Sequence, residues 1–377
     1  ALALAETPVP AASASLTWRW SNPGPHGADI FDFAYHTNGL AVQVGERGQL
    51  FTSTDFETWT PRATGTTRSL RGVAFLGDRI VVSGEKGTML YAEDPAVFSL
   101  VDLGTTDWLE SVAASPNLLV AVGDNGAVYT STNAVNWRRR DVPFTTWLRS
   151  VAWGPSGFVA VGEDGFIATS AEGGSWTKRS SGTTLHLNRV ARVADRYWVA
   201  GDNGKVLTST DGIAWQNQNS GATNVLSVAA GSAAQKLVAG ENEVRLRQGA
   251  TWTNELRASN PWPPPAWSYY SGFWDGQAFW IGGASGLTAQ GYQTNENTAL
   301  LWNVPSSESV RHWLWAVTRT PYCYLAVGDR ATIMASDNGI DWELDLLPEG
   351  VTNDVFLGVG GSSDQFLVVG KIGRAHV

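Results

Sequence analysis

Apolar and polar positions recur along this chain as a block. Between residues 158 and 176 the sequence FVAVGEDGFIATSAEGGSW is an apolar run, a Gly-flanked polar turn, a second apolar run and a polar loop closed by Trp. Segments 40–59, 119–137, 198–215 and, more loosely, 325–342 repeat it. The first glycine of the turn falls at Gly45, Gly84, Gly123, Gly162, Gly201 and Gly240, a constant step of 39 residues, then drifts to Gly283, Gly328 and Gly370. Such a step means one supersecondary unit copied along the chain, and a period near 40 is that of a four-stranded propeller blade.

Each block cuts into four strands. In the fourth these are 148–153, 158–162, 166–170 and 176–181, with Gly-rich turns between the first three. The inner runs LRSVAW and FVAVG are almost continuously apolar, as expected of strands covered on both faces by neighbouring blades, while WTKRSS is polar like an outer edge. Full blades start near Asp29, Leu70, Leu109, Leu148, Leu187, Val225, Tyr269 and Leu314, and a ninth begins at Val355. Trp18 to Gly24 resembles an isolated fourth strand, which could close the partial ninth blade and remove a free edge. The expected fold is therefore all-β: a single propeller of four-stranded antiparallel blades, eight full repeats plus a partial ninth closed by the N-terminal strand. Eight blades, or seven with the rest in a second domain, stay open as alternatives, since typical propellers have about four to eight.

The propeller is expected over 16–371. Residues 1–15 read as the remnant of a signal peptide followed by a flexible Pro/Ala/Ser leader, which implies a secreted or periplasmic protein. Residues 372–377 resemble a translated sequencing adaptor and are set aside as a non-native tail. Blade 260–305 breaks the period with Pro261, Pro263, Pro264 and Pro265, so 260–266 is expected to be a loop, followed by Trp267, Tyr269, Tyr270, Trp274 and Trp280. Irregularity in a strict repeat points either to function or to drifted packing.

Composition narrows the class. Charged residues are 16% of 377, low for a soluble domain, and Gly 41 with Trp 19 describe a turn-dense, aromatic-packed β protein. A net charge of −9 with no basic block argues against nucleic acid and anionic membranes. No apolar stretch is long enough for a transmembrane helix. The one cysteine, Cys323, excludes an intrachain disulfide. A monomer without metal or cofactor is expected.

Three sets of positions invite a functional reading. An acid follows the turn glycine at Glu46, Glu85, Asp124, Glu163, Asp202, Glu241 and Asp329. A residue repeated in step with the fold is expected to serve the fold, by accepting backbone N–H groups of its own turn or the next blade. At the start of the innermost strand, Asp32, Arg71, Glu110 and Arg149 alternate in sign and suggest an inter-blade charge ladder, continued by Asn188. Two positions before these stand Trp108, Trp147, His186 and Trp313, on the face that also carries the acidic turns. Together with Trp315 and Trp267 they form a candidate ligand-binding surface, since aromatic rings beside carboxylates and guanidiniums suit sugar rings or extended peptide. Packing of these Trp residues between blades is the competing reading.

The loop between third and fourth strands reads Ser53-Thr-Asp55-Phe-Glu-Thr-Trp59, Ser131-Thr-Asn133-Ala-Val-Asn-Trp137 and Ser209-Thr-Asp211-Gly-Ile-Ala-Trp215. It resembles the Asp-box of sialidase-type propellers, one residue shorter, and that resemblance implies a structural device on the face away from any active site. The family's Arg-Ile-Pro signature is absent. The whole repeat also resembles propellers related to the photosystem II stability and assembly factor, in the Asp-box/YVTN-like group, which implies a propeller that binds proteins or glycans. The expected function is a secreted binding or scaffold propeller recognising a protein or glycan on the face opposite the Asp-box-like loops. The alternative is a glycan-active enzyme, a sialidase-like or xyloglucanase-like hydrolase or a lyase, because two carboxylates at catalytic separation can come from distant blades.

Overall fold

The computed structural model describes residues 28–56, 58–256, 268–292, 300–303, 314–320, 323–328, 331–337, 343–344, 355–361, 366–370 and 375–376. Trp267, Trp313, Asp329, the strand expected at 18–24 and the proline-rich segment 260–266 lie outside the described residues.

All described repeats fold as antiparallel sheets, and no α-helix occurs among the described residues. Blade 4 runs through Leu148–Gly154, Gly157–Gly162, Ile167–Ser170 and Thr177–Arg179 in chain order, within a residue or two of the pattern-based bounds. Eight sheets have four strands and the last, Phe356–Gly361, Phe366–Gly370 and Ala375–His376, has three. Its third strand falls inside the segment set aside as a tail.

The chain divides into two compact units, Gly24–Arg311 and one containing His312–Val377. The second unit holds the sheet from Leu314–Arg319 to Glu343–Leu344 and the three-stranded sheet, joined by a core of Val327, Ile333, Phe356 and Val368. The first unit holds seven sheets. Its cores lie between successive blades: Val42, Val44 and Leu50 of blade 1 pack on Leu70, Val73, Ile80 and Val82 of blade 2. Burying each such side chain is worth about 1.5–3 kcal/mol, so the sheets stay together through their faces rather than their edges.

Blade 7 (Tyr269–Trp274, Ala278–Gly283, Thr288–Tyr292, Leu301–Asn303) then packs back on blade 1 (Ile30–Tyr35, Ala41–Gly45, Leu50–Ser53, Thr60–Pro61). Ile30, Phe33, Ala41 and Trp280 form one buried cluster. Phe33 meets Phe273 edge-on at 4.7 Å, and Phe56 stacks on Trp280 at 4.1 Å. Gln43 Nε2 donates to Thr288 Oγ1 at 3.0 Å. These contacts join the seventh sheet of this unit to its first. They also give the aromatic surplus of the irregular blade a packing role, because Phe273 and Trp280 fill the seam where the ends of the ring meet.

Register corrects one part of the sequence reading. In blade 2 Leu70 pairs with Gly84 and Phe75 with Ile80, but in blade 1 Ile30 pairs with Gly45 and Tyr35 with Ala41. The first hairpin of blade 1 is one residue longer, so counting by the glycine step misplaces its innermost strand by one. The partner of Arg71 in the series is Phe31, not Asp32, and a slip of one residue exchanges the faces of a strand. In blade 6 Leu226 pairs with Gly240, so the residue equivalent to Arg71 there is Ser227.

Candidate functional site

Antiparallel order puts the turns between second and third strands on the same face as the connections between blades. Each turn is a short kinked 3-10 element, such as Asp124–Gly126, whose middle residue is left-handed: Arg47, Lys86, Asn125 and Asp164 have φ between 49° and 54°. It touches the connections on both sides of its blade. Asp124 N–H donates to Trp108 O and Gly126 N–H to Thr146 O, at 3.1 and 3.0 Å. Gly126 has φ 65°, and a Cβ there would lie 2.2 Å from Phe144 O, so only glycine fits.

The acids of these turns have local partners. Asp124 accepts Trp108 N–H at 2.8 Å and Glu46 accepts Asp29 N–H at 3.4 Å. Glu85 pairs with Arg71 at 3.5 Å, Glu163 with Arg149 at 3.0 Å, and Asp202 accepts Asn188 Nδ2 at 2.9 Å. The charged positions thus bond first within their own blade, to the acid of the next turn. Between blades, Arg71 lies 3.9 Å from Glu110 and Arg149 donates to Asn188 Oδ1 at 2.9 Å. Asp32 takes no part in that series.

Trp108 and Trp147 come together, with ring centroids 6.3 Å apart in a T-shape. The Arg71 guanidinium lies 5.4 Å from the Trp108 ring and 4.2 Å from that of Phe31, which in turn neighbours Tyr270 at 6.1 Å. Trp147 is 36% exposed. Burial pushes the Glu110 carboxyl up from the usual glutamate range, against the pull of Arg71 and the Trp147 side chain. Burial raises Asp124 as well. His186 stands on the same face, but its Nδ1 accepts the Asp164 N–H at 3.0 Å and it serves the blade 4 turn. Across the mouth, Tyr270 is raised first by burial and then by Asp29, Glu46 and Glu241, so blades 6, 7 and 1 form an acidic side. Trp315 belongs to the second unit, where it is 48% exposed.

One position deeper lies a constellation that sequence reasoning missed. Asp32, Gly72, Ser111, Ser150, Arg189, Val228 and Ser271 are equivalent by register. At this position Asp32 accepts Val73 N–H at 2.8 Å, Ser111 accepts Val151 N–H at 3.3 Å, Ser150 accepts Val190 N–H at 3.2 Å and Ser271 accepts Phe33 N–H at 3.2 Å. Each bond ties one blade to the next. Arg189 departs from the pattern and reaches from blade 5 to blade 1, donating through Nη2 to Asp32 Oδ1 at 2.7 Å and to Ser271 Oγ at 3.2 Å. Asp32 is 3% exposed, so this is a buried, multiply hydrogen-bonded ion pair. The serines at a fixed offset after Glu110 and Arg149 were its sequence signal. Arg189 had none.

On the opposite face the Ser…Trp loops close on themselves. Asp211 accepts Ser209 Oγ, Ile213 N–H and Ala214 N–H at 2.9, 2.8 and 3.0 Å, and the Trp215 indole donates to Gly212 O at 3.0 Å. The two backbone N–H groups hold the Asp211 carboxyl below its ordinary range. Among the described residues no group of His, Cys, Asp and Glu could hold a metal ion, and no helix could cross a membrane.

Residues 165–271 match the DUF6242 beta propeller domain model. No curated protein matches the chain. Its fold is similar to that of YCF48 bound to D1 peptide, at 21% identity and TM-score 0.60 over 72% of this chain and 96% of that one. YCF48 from Cyanidioschyzon merolae gives 22% and 0.58 over 73% and 98%. The Niastella koreensis GH74 enzyme gives 14% and 0.67 over 92% and 70%. At these identities the likeness is one of fold: the chain is a repeat β-propeller resembling both photosystem II assembly-factor propellers and a GH74 propeller enzyme.

Proposed function

We propose that this chain is a binding propeller that takes an extended protein segment across the mouth formed by blades 2 to 4. The observation that carries this reading is the Trp108–Trp147 pair, with Trp147 exposed and Arg71 beside it. An aromatic step flanked by guanidiniums recognises apolar side chains and backbone or side-chain carbonyl and carboxylate groups together. The charges beneath are already matched: Glu163 holds Arg149, and Arg71 lies between Glu85 and Glu110. They keep the surface rigid, which reduces the ordering cost of binding. That a propeller of similar fold is known with a peptide bound supports the choice of partner class.

The test is a random-peptide display selection against the intact chain. Peptides so selected should lose at least about tenfold in affinity, roughly 1.4 kcal/mol, on Trp147→Ala. The variant's melting temperature should stay within a few degrees. Peptides that bind Trp147→Ala as well as the unaltered chain would place the partner elsewhere.

A glycan-active reading is favoured by one observation, the half-buried Glu110 carboxyl between Arg71 and the aromatic pair, which burial shifts upward, the direction a general acid requires. Turnover of chromogenic glycosides that disappears in Glu110→Gln would establish it. A glycoside panel with no Glu110-dependent turnover retires it.

A further inference from the structure

A cleft of about 790 Å³ lies away from the mouth's aromatic pair, between the outer parts of blades 1 and 2. Its charged lining is Arg47, Arg62 and Arg68 against the single carboxylate of Asp102. In a chain of net charge −9 this is a local excess of positive charge. The three guanidiniums differ in what they have left to offer. Arg47 stands exposed at the left-handed tip of its turn and has no side-chain partner among the described residues. Arg62 donates Nε to Thr52 Oγ1 at 2.8 Å, which leaves its terminal nitrogens. Arg68 is anchored through Nη1 to Lys86 O at 3.0 Å and to Asp102 Oδ2 at 3.1 Å.

The Thr52–Arg62 bond recurs as Thr130–Arg140 and Thr169–Arg179, so Arg62 is a feature of the repeat. Arg47 and Arg68 are not: their equivalents one blade on are Lys86 and Asp107, and two blades on are Asn125 and Thr146. The positive cleft therefore belongs to this one blade junction. Its remaining walls include Leu50, Pro61 and Leu100, the last 44% exposed.

We infer that this cleft binds an acidic oligosaccharide, one whose sugar rings carry carboxylates. Each uronate ring brings a carboxylate for the guanidinium forks and an apolar face for Leu100 and Pro61. An acidic peptide fits less well. It would dock most readily by adding a strand to the outer edge of blade 1, but that edge is only Thr60–Pro61, and Pro61 has no N–H to offer. The volume lies within the roughly 300–1,000 Å³ usual for small-ligand sites and accommodates about two or three sugar rings.

Calorimetry with trigalacturonate and trimannuronate tests this on the full chain, with maltotriose and hexaglutamate as neutral-sugar and acidic-peptide probes. Binding of either uronate is expected, weakened about tenfold by Arg47→Ala and further by Arg47→Glu, with an unchanged melting temperature, since Arg47 supports no contact in the fold. Binding should fall with added salt, and maltotriose should not bind. Absence of uronate binding, equal uronate binding by the unaltered chain and Arg47→Glu, or hexaglutamate binding as tightly as the uronates would each overturn the inference.

Discussion

The two faces of the seven-bladed unit solve the same problem, holding loops at the ends of strands, in opposite ways. On one face each loop is self-contained. Trp59, Trp137, Trp176 and Trp215 all donate their indole N–H to the carbonyl three residues earlier, at 3.2, 2.9, 3.0 and 3.0 Å, and Ser with Asp or Asn closes the turn in blades 1, 3 and 5. On the other face the residues differ from blade to blade and bond across blades: Arg71 to Glu110, Arg149 to Asn188. A motif that satisfies itself can be copied without change and carries no information about a partner. A surface whose groups depend on their neighbours can differ at every blade, and there a single partner can be recognised.

Breaking the cross-blade side should cost most where the partners are most buried. Asp32→Ala removes an acceptor from Val73 N–H, Ser271 and Arg189 and leaves a guanidinium without its counter-charge. A loss of about 3–5 kcal/mol in denaturant unfolding is expected. Arg189→Ala in the Asp32→Ala background should cost clearly less than Arg189→Ala alone, and equal costs would show that the pair is not coupled. Gly126→Ala tests the turns of the same face. Its positive φ and the 2.2 Å approach to Phe144 O predict a loss of about 1–3 kcal/mol, with near-neutral behaviour the contrary result.

The self-contained face should respond more weakly and in a different pH range. Asp211→Ala removes two backbone acceptances, an expected loss of about 1 kcal/mol at pH 7. Because the folded Asp211 carboxyl sits below its unfolded value of about 3.9, its contribution is complete above that pH and is lost as pH falls through the folded value. The stability difference between Asp211→Ala and the unaltered chain should therefore shrink in acid; a difference constant down to pH 2 would show that the carboxylate form is not what matters.

The smallest effect sharpens the comparison at the mouth. The Glu110 carboxyl is raised by burial, so the Trp147 indole beside it should report a protonation step above the usual glutamate value of about 4.3 in fluorescence titration. Glu110→Gln should abolish that step, and its persistence would assign it to another group.

By itself the sequence determined the blade. Glycines spaced at 39 residues, apolar runs of about five residues and Ser…Trp loops each encode contacts within some twenty residues, so strands 41–45 and 50–53 and their turn could be read directly and are paired as expected. Trp108 and Trp147 were legible for the same reason, as equivalent positions of adjacent blades. Only the tertiary structure decided what depends on distant segments meeting. The seam of Phe33 with Phe273 joins residues 240 apart in sequence, and Arg189 finds Asp32 at a separation of 157. No local pattern specifies such pairings. The one-residue lengthening of the first hairpin, too small to disturb the glycine step, moved Asp32 from the mouth to the buried layer beneath it. A strand alternates its faces at every residue, so register, which is fixed by pairing and packing, outweighs position in the repeat.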